Sequence, residues 1–239
     1  MPSALVRKLG TYADLDEAEE AALDALCIDV RTAPAKRDII IEGERPEYLH
    51  LIVDGWAARY KYLLSGSRQI TGFLIPGDFL DMHVTVLGRM EHSVRAVTRC
   101  KVAYIKADTL GALTAENNKL ARAFWWSTLV DEATLRSWIV SLGRRDALGR
   151  IAHLLCELHA RMTLIGLVRG DRFDLPITQE DIADATGLTS VHANRMLQRM
   201  RAKNLIELQS NVLVVPDVDA LRAAAGFDTN FLHIERRIH

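Results

Sequence analysis

The sequence of 239 residues contains few cysteines, no long apolar run and no excess of charge of either sign. Its three cysteines, Cys27, Cys100 and Cys156, are odd in number and far apart, so we expect no disulfide framework. No stretch of about 18 apolar residues is present, which excludes a membrane-spanning helix. The first residues, MPSALVRKLG, lack the apolar core of a signal peptide. We therefore expect a cytoplasmic protein with reduced, mostly buried thiols and no membrane partner.

The charge balance limits the kinds of partner that the whole surface can attract. The net charge is −1, from 30 basic and 31 acidic residues. A globally basic nucleic-acid binder is therefore excluded, and any affinity for DNA must come from local patches. With 49% hydrophobic residues, the chain has enough apolar material for one large or two modest domains.

The hydrophobic pattern predicts an α+β fold whose parts follow one another along the chain. Residues 14–30 have the pattern of an acidic amphipathic helix. From about residue 37 to residue 105, short β-rich runs alternate with glycine turns. This pattern predicts a β-roll, that is, a jelly-roll-like double-stranded β-helix. Residues 107–144 lack proline and read as helix, and residues 146–163 predict a further amphipathic helix.

The long helical stretch carries a seam of residues spaced alternately four and three apart, as in a coiled coil. The seam contains Trp125, Thr128, Glu132, Leu135, Ile139 and Leu142. Thr128 and Glu132 make it less apolar than a strict heptad seam. One interpretation is a single helix packed on its own domain. A seam of this kind also suits the pairing of two copies about a two-fold axis, and we favour dimerisation.

Residues 177–203, ITQEDIADATGLTSVHANRMLQRMRAK, predict two short helices joined by a tight turn. Thr178 is placed to cap the first helix, with Asp181 at the reciprocal position of a capping box. Gly187 stands where the turn needs positive φ, and Thr189 is placed to cap the second helix. The second helix has one apolar face, made by Ala193, Met196, Leu197 and Met200. This combination is typical of the unit that places a helix in the DNA major groove.

The other face of the second helix is basic and polar. Between residues 190 and 203 there are four cations and no acidic residue. Arginine and asparagine side chains can pair bidentately with guanine and adenine edges. The alternative is an ordinary helical hairpin with a solvated basic face. The predicted DNA-binding residues are Thr178, Gln179, Thr189, Ser190, Val191, His192, Asn194, Arg195 and Arg199.

A β-hairpin is predicted directly after this unit. Residues 205–208 and 212–215 read as strands, and residues 209–211, Gln-Ser-Asn, read as the turn between them. A hairpin in this position is the wing of a winged helix-turn-helix. Its tip can contact the DNA backbone, which positions the protein without specifying sequence.

The order of β-roll, long helix and winged helix-turn-helix resembles the Crp/Fnr family of bacterial transcription regulators. Short segments that look like the family's turn and strand signatures are residues 40–44 (IIEGE), 51–55 (LIVDG), 76–79 (PGDF) and 94–98 (VRAVT). The resemblance implies a homodimer with recognition helices about one DNA turn apart. It divides the chain into an effector or sensor roll over 1–116, a dimerisation helix over 117–144 and a DNA-binding domain over 145–239.

The resemblance also shows where the sequence departs from members that bind cyclic AMP. Those members have Gly-Glu-Leu after the Gly-Asp-Phe turn and, further on, an Arg-Ser/Thr pair for the cyclic phosphate. Here the two places read Asp81-Met82-His83 and Met90-Glu91. An anionic phosphate would be repelled by Glu91, and Arg89 stands in the wrong register. We therefore expect control by something other than cyclic AMP. The candidate effector-pocket residues are Asp78, Phe79, Asp81, His83, Arg89 and Glu91.

No cofactor is expected from the remaining signals. Relatives with an iron–sulfur cluster use several clustered N-terminal cysteines, and here only Cys27 lies near that end. Relatives that bind haem use side chains from the roll or the N-terminus, for which the candidates here are His50, His83 and His92. An isolated histidine is more often a surface or packing residue than a ligand. His153, Cys156 and His159 drift around a helix by about 60° per step, so that helix packing is favoured over a metal site.

The recognition helix departs from well-known members at one position. They have a glutamate where this chain has Val191, and an arginine that reads guanine where this chain has Arg195. Valine cannot accept a hydrogen bond, but it can pack on a thymine methyl group. We therefore expect Arg195 to be the main base reader, with Ser190, His192 and Asn194 as helpers. Thr178 and Gln179, at a helix N-terminus, are better placed for phosphate contacts.

These observations predict a dimeric, sequence-specific transcription regulator whose partners are a two-fold symmetric DNA operator, a second copy of the chain and RNA polymerase. Three alternatives remain open. An enzyme built on the roll would need a metal-spaced or nucleophilic set, and the roll has none, so we expect no enzymatic activity. A regulatory module acting on a partner protein would not need the helix-turn-helix. A haem- or redox-sensing member of the same family is the third, with Cys100 in the roll as the candidate thiol.

Overall fold

The computed structural model describes residues 2–82 and 84–234, without the Thr85 side chain. The chain divides into two compact units, of which the first extends to Asp131 and the second runs from Glu132 to His233. A single helix, α5 (Asn118–Arg144), contains the boundary between them.

The first unit is the predicted β-roll with short helices around it. Its helices are α1 (Ala4–Leu9), α2 (Glu17–Ala25), α3 (Val84–Leu87) and α4 (Ala107–Glu116). Its strands are β1 (Val30–Ala33), β2 (Asp38–Ile40), β3 (Tyr48–Asp54), β4 (Ala57–Tyr62), β5 (Arg68–Leu74), β6 (Ser93–Ala96) and β7 (Cys100–Lys106). They form two antiparallel sheets, in the orders β1-β7-β3 and β2-β6-β4-β5. The α+β fold class is therefore confirmed.

The end of the β-rich region, near residues 93–105, forms two strands, β6 and β7, which belong to different sheets. The chain leaves β6 at Val97 and Thr98, whose amides both donate to the Trp56 carbonyl. Gly55 makes this crossing possible, because a Cβ atom there would lie 2.5 Å from the Arg99 carbonyl oxygen. Long-range contacts of this kind have no local sequence signal, and neither β1 nor α1 was predicted.

The second unit contains the predicted helix pair and wing. After α5 come α6 (Ala147–Leu164), β8 (Arg172–Asp174), α7 (Gln179–Thr186), α8 (Ser190–Ala202), β9 (Glu207–Gln209), β10 (Val212–Val214), α9 (Val218–Ala225) and a 3-10 turn at Asn230–Leu232. The wing is a three-stranded sheet in the order β8-β10-β9, so the predicted hairpin is confirmed and β8 is added to it.

Polar groups are buried along α6 and each has a protein partner. Glu157 is fully buried, accepts a hydrogen bond from the Trp138 indole and pairs with Arg161 at 2.9 Å. His153 lies 3.0 Å from the Ser137 hydroxyl, and its ring stacks on Phe231. The middle member of the row His153, Cys156 and His159 is also buried. Within the described residues, no group of three or more His, Cys, Asp or Glu side chains is arranged to hold a metal ion.

The burial of His153 predicts a loss of stability in acid. Burial, followed by the charge of Arg145, lowers the pKa of His153 from 6.5 to about 4. The unfolded chain therefore binds a proton at higher pH than the folded one, and this stabilisation is present above pH 6.5 and lost as the pH falls toward 4. We expect the free energy of unfolding to drop by about 2 kcal/mol between pH 7 and pH 5 from this group.

Urea unfolding of the full chain at the two pH values measures this drop. His153→Gln, which stays neutral over the range, should remove most of it. Part of the slope should persist, because burial and then Arg222 also lower the pKa of His159. An unchanged slope in His153→Gln would show that His153 titrates normally in the folded protein.

Candidate nucleic-acid interface

The first helix of the helix-turn-helix begins with a complete capping box. The Asp181 amide donates to the Thr178 hydroxyl oxygen at 3.1 Å, and the Thr178 amide donates to the Asp181 carboxylate at 2.9 Å. The Thr178 hydroxyl also donates to Asp181, at 2.7 Å. Thr178 is therefore the N-cap, as predicted, and its hydroxyl group is hydrogen-bonded to Asp181 within the first turn of α7. Gln179, the first residue of α7, has an exposed side chain next to this helix terminus.

The turn between α7 and α8 uses the predicted glycine. Gly187 has φ 65° and ψ 35°, in the left-handed region, and its amide donates to the Ala183 carbonyl. A residue with a Cβ atom would cost about 1–2 kcal/mol in this conformation. Thr189 then caps α8 and accepts from the His192 amide at 3.2 Å. Both helix starts and the turn are therefore confirmed at the predicted residues.

The apolar side of α8 is buried as predicted, which leaves the opposite side outward. Ala193, Met196, Leu197 and Met200 are buried. Val191 is 82% exposed, and the side chains of Asn194, Arg195, Gln198 and Arg199 are exposed as well. At about 100° per residue, these five side chains fall within one half of the helix surface. The outward face therefore presents an apolar side chain, two amides and two guanidinium groups.

Two residues of α8, Gln198 and Arg201, face in directions that the sequence analysis did not predict. Gln198 shares the outward face, since it stands seven residues after Val191 and four after Asn194, and this spacing was the signal that could have identified it. Arg201, which belongs to the basic run of the sequence, is turned toward the wing, where its guanidinium lies 3.4 Å from the Leu208 carbonyl oxygen. Among the cations of residues 190–203, Arg195 and Arg199 therefore face outward, whereas Arg201 anchors the wing.

The wing tip is a two-residue turn without a charged side chain. Ser210 and Asn211 have φ of 50° and 62° and connect β9 to β10. Positive φ at both central residues matches the twist of a two-residue hairpin turn. The tip offers hydroxyl and amide groups, which hydrogen-bond to phosphate but add no positive charge.

The first three candidate effector residues, Asp78, Phe79 and Asp81, make structural contacts with other parts of the first unit. The Asp78 carboxylate accepts from Lys8 at 2.8 Å and from the Ile75 amide at 2.8 Å. Asp81 is fully buried; one of its oxygens accepts from the His50 amide at 2.8 Å, and the other lies 2.6 Å from the His50 ring nitrogen. Phe79 packs its ring edge-on against Phe124, with 5.9 Å between centroids.

The later candidate effector residues, Arg89 and Glu91, lie at the surface. The Glu91 side chain is 63% exposed and pairs with the His92 ring at 2.9 Å. Arg89 is exposed, and His83 lies outside the described residues. Apart from Arg89, the described candidates take part in separate contacts, and these contacts do not converge on one group.

The predicted dimer seam is mostly exposed along α5. Trp125 is 67%, Leu135 40% and Ile139 69% exposed. Thr128 and Glu132 are exposed as well, and Leu142 is half-buried. Exposed apolar side chains at heptad spacing remain consistent with a partner helix and are unusual for a helix that packs only on its own domain.

The three cysteines have environments that disfavour the thiolate. Burial raises the pKa of Cys100 to about 11 and that of Cys156 to about 12. Burial and then Asp24 raise the pKa of Cys27, which is half-buried. Because the thiolate is the reactive form, none of the three is activated for redox chemistry at neutral pH.

We expect the native protein to react slowly with a thiol reagent such as DTNB at pH 7.5. At most one thiol, Cys27, should react within minutes, whereas the urea-unfolded chain should react at all three cysteines. Cys27→Ser is the control and should abolish the fast phase. Rapid modification of Cys100 in the folded protein would support the redox-sensing alternative.

The described residues contain no helix that is both long and apolar enough to cross a bilayer.

Comparison with protein families matches residues 30–117 to the Cyclic nucleotide-binding domain and residues 149–224 to the Crp-like helix-turn-helix domain. The two matches coincide with the roll and with the helix-turn-helix and wing described above.

Full-length relatives extend the match to nearly the whole chain. The transcriptional activatory protein AadR of Rhodopseudomonas palustris is 30% identical over 224 residues, which are 92% of this chain and 91% of AadR. The transcriptional activator protein FnrL of Cereibacter sphaeroides is 26% identical over 231 residues, 94% of this chain and 91% of FnrL. The structure of FixK2 from Bradyrhizobium japonicum has the same fold, with a TM-score of 0.74 at 24% identity over 83% of this chain and 98% of FixK2. The chain belongs to the Crp/Fnr family of DNA-binding transcription regulators.

Proposed function

We propose that this regulator binds a two-fold symmetric operator as a homodimer and reads each half-site with the N-terminal part of α8. The observation that carries the proposal is the outward face of α8. Its buried side fixes the helix in the unit, and Val191, Asn194 and Arg195 are left exposed together. A helix presented in this way can enter the major groove, where base edges differ in their donors and acceptors.

The chemistry of the three side chains suggests what each reads. Arg195 can pair bidentately with guanine, and Asn194 with adenine. Val191 replaces an acidic cytosine reader with an apolar group that fits a thymine methyl. Ser190 and His192 are helpers at the helix start. We therefore infer an operator preference that differs from that of relatives with a glutamate at this position.

Contacts to phosphate groups position the unit without reading sequence. Gln179 is exposed at the N-terminus of α7, where the helix macrodipole attracts anions such as phosphate. Arg199 stands on the outward face of α8, on the flank away from Asn194. With the wing tip, these groups can contact the DNA backbone on both sides of the recognition helix.

Dimerisation brings two recognition helices to two half-sites about one helical turn apart. We propose the seam on α5 as the dimer contact. AadR and FnrL are described as transcriptional activators, and we extend that role to this chain, with RNA polymerase as the partner at the promoter and no catalytic activity of its own.

Selection of bound fragments from a random DNA pool tests the proposal with the purified full-length protein. We expect two inverted half-sites that share a guanine, with centres about 10 base pairs apart. Arg122→Ala, which removes an exposed arginine of α5, is the matched control and should select the same sequence. Fragments without a common sequence would contradict sequence-specific binding.

We also propose that cyclic AMP does not control the protein. The supporting observations are the closed contact between Asp81 and His50 and the negative charge of Glu91. A cyclic phosphate needs a cation or a run of amides in this region. Calorimetric titration with cyclic AMP should give no binding heat, and micromolar affinity would overturn the proposal.

A further inference from the structure

Four charged side chains of the first unit meet at the junction of α1, β4, the turn at residues 76–79 and α5. We call them the junction cluster: Lys8, Arg59, Asp78 and Asp131. Lys8 pairs with Asp78 at 2.8 Å, with side chains 13% and 3% exposed. The same Arg59 Nη2 atom donates to the Phe79 carbonyl at 2.9 Å and lies 3.6 Å from Asp131. Two cations and two anions thus connect four separate elements.

The α1 side of the cluster is closely packed. Gly77 has φ +90°, and a Cβ atom there would lie 2.9 Å from the Ala4 carbonyl oxygen. Burial alone would lower the pKa of Lys8. The negative charges of Asp78 and then Asp131 act in the opposite direction and more strongly, so the pKa of Lys8 is raised above its usual value. Lys8 therefore stays charged and holds α1 against the turn.

The α5 side of the cluster sets the direction in which the helix faces. Phe124 packs on Phe79, and the Thr128 hydroxyl lies 3.6 Å from the Met82 sulfur. Asp131 stands three residues after Thr128, so the two side chains lie about 60° apart around the helix axis. Fixing Asp131 and Phe124 against the roll therefore fixes the rotation of the part of α5 that belongs to the first unit, and with it the direction of the seam residues Trp125 and Thr128.

We propose that the Arg59–Asp131 pair orients α5 for dimerisation and DNA binding, so that the protein binds its operator without a diffusible effector. This inference rests on the proposed function. In a ligand-controlled roll, a bound molecule must supply the free energy that selects the binding-competent arrangement. Here two side chains of the protein itself, Arg59 and Asp131, connect the turn at residues 76–79 to α5. Arg59 and Asp131 act as positioning residues.

The first test is operator binding by protein refolded from urea and dialysed, which removes bound small molecules. We expect the refolded protein to bind the selected operator as tightly as protein supplemented with a small-molecule cell extract. Binding that needs the extract would overturn the inference and leave the proposed function standing. Binding in neither condition would contradict the proposed function, and the inference with it.

The second test is a double-mutant cycle with Arg59→Gln and Asp131→Asn. Each variant should weaken operator binding by about 3- to 30-fold, and the double variant should be no weaker than the more affected single one. Arg59→Lys keeps the charge and should restore part of the affinity. The matched control is Lys61→Gln. Lys61 stands on β4, as Arg59 does, and its replacement removes an exposed pair with Glu42. This variant should bind the operator as wild type does.

Thermal unfolding of the same variants separates positioning from a loss of structure. Asp131 is 39% exposed, so its replacement should change the melting temperature little. Operator affinities equal to wild type in both single variants would overturn the inference. So would additive losses in the double variant, because the two side chains would then act independently.

Discussion

Replacing Arg195 with alanine is expected to weaken operator binding by about 2–6 kcal/mol in the dimer, at about 1–3 kcal/mol for each half-site. The side chain is exposed near the N-terminal end of α8, beside Val191. The replacement removes two hydrogen bonds to one base and a cation near the phosphates. It should also relax the preference at that base pair, so that wild type and variant differ most on the best operator.

Fluorescence anisotropy with the selected operator, and with operators changed at each base pair, measures both effects. Arg199→Ala is the comparison, because a phosphate contact should weaken binding to all sequences about equally and reduce the salt dependence. Gln198→Ala tests whether the face extends one turn further. The docking of α8 proposed above would be wrong if Arg195→Ala bound the operator unchanged, or lost affinity equally for every sequence.

The helix-turn-helix could be predicted to the residue because its signals are local. The Thr178 cap, the Gly187 turn and the Thr189 cap each act on backbone groups within four residues. A periodic apolar face then fixes which side of α8 is buried. Signals of this range are contained in the sequence itself and need no knowledge of distant segments.

The effector residues show why the rest could not be predicted. Asp78 and Asp81 follow a glycine turn and read as polar groups available to a ligand. Their partners are Lys8, seventy residues earlier in the chain, and His50, thirty-one residues earlier. A buried carboxylate needs such a partner, but the sequence does not identify it, because the pairing depends on the sheet register and on α1, which has no strong pattern of its own.

The second large effect is expected from the dimer seam, where Leu135→Glu combined with Ile139→Glu should convert the dimer to a monomer. Leu135 and Ile139 stand four residues apart on one face of α5 and are 40% and 69% exposed. In a two-fold contact each replaced side chain meets its copy, so four like charges would be brought together in an apolar seam. Operator affinity should fall by at least about 100-fold, because each half-site is then bound alone.

Sedimentation equilibrium and operator binding should change together in this variant, since one contact supports both. Val140→Glu is the matched control: it places the same charge at a 55% exposed apolar residue of α5, about 100° away from Ile139 around the helix. The control should remain dimeric and bind DNA. If the double variant stayed dimeric, another surface would have to form the two-fold contact, and the heptad spacing of α5 would reflect packing within one chain. If it became monomeric yet bound the operator normally, reading by paired half-sites would be contradicted, because affinity would then come from a single recognition helix.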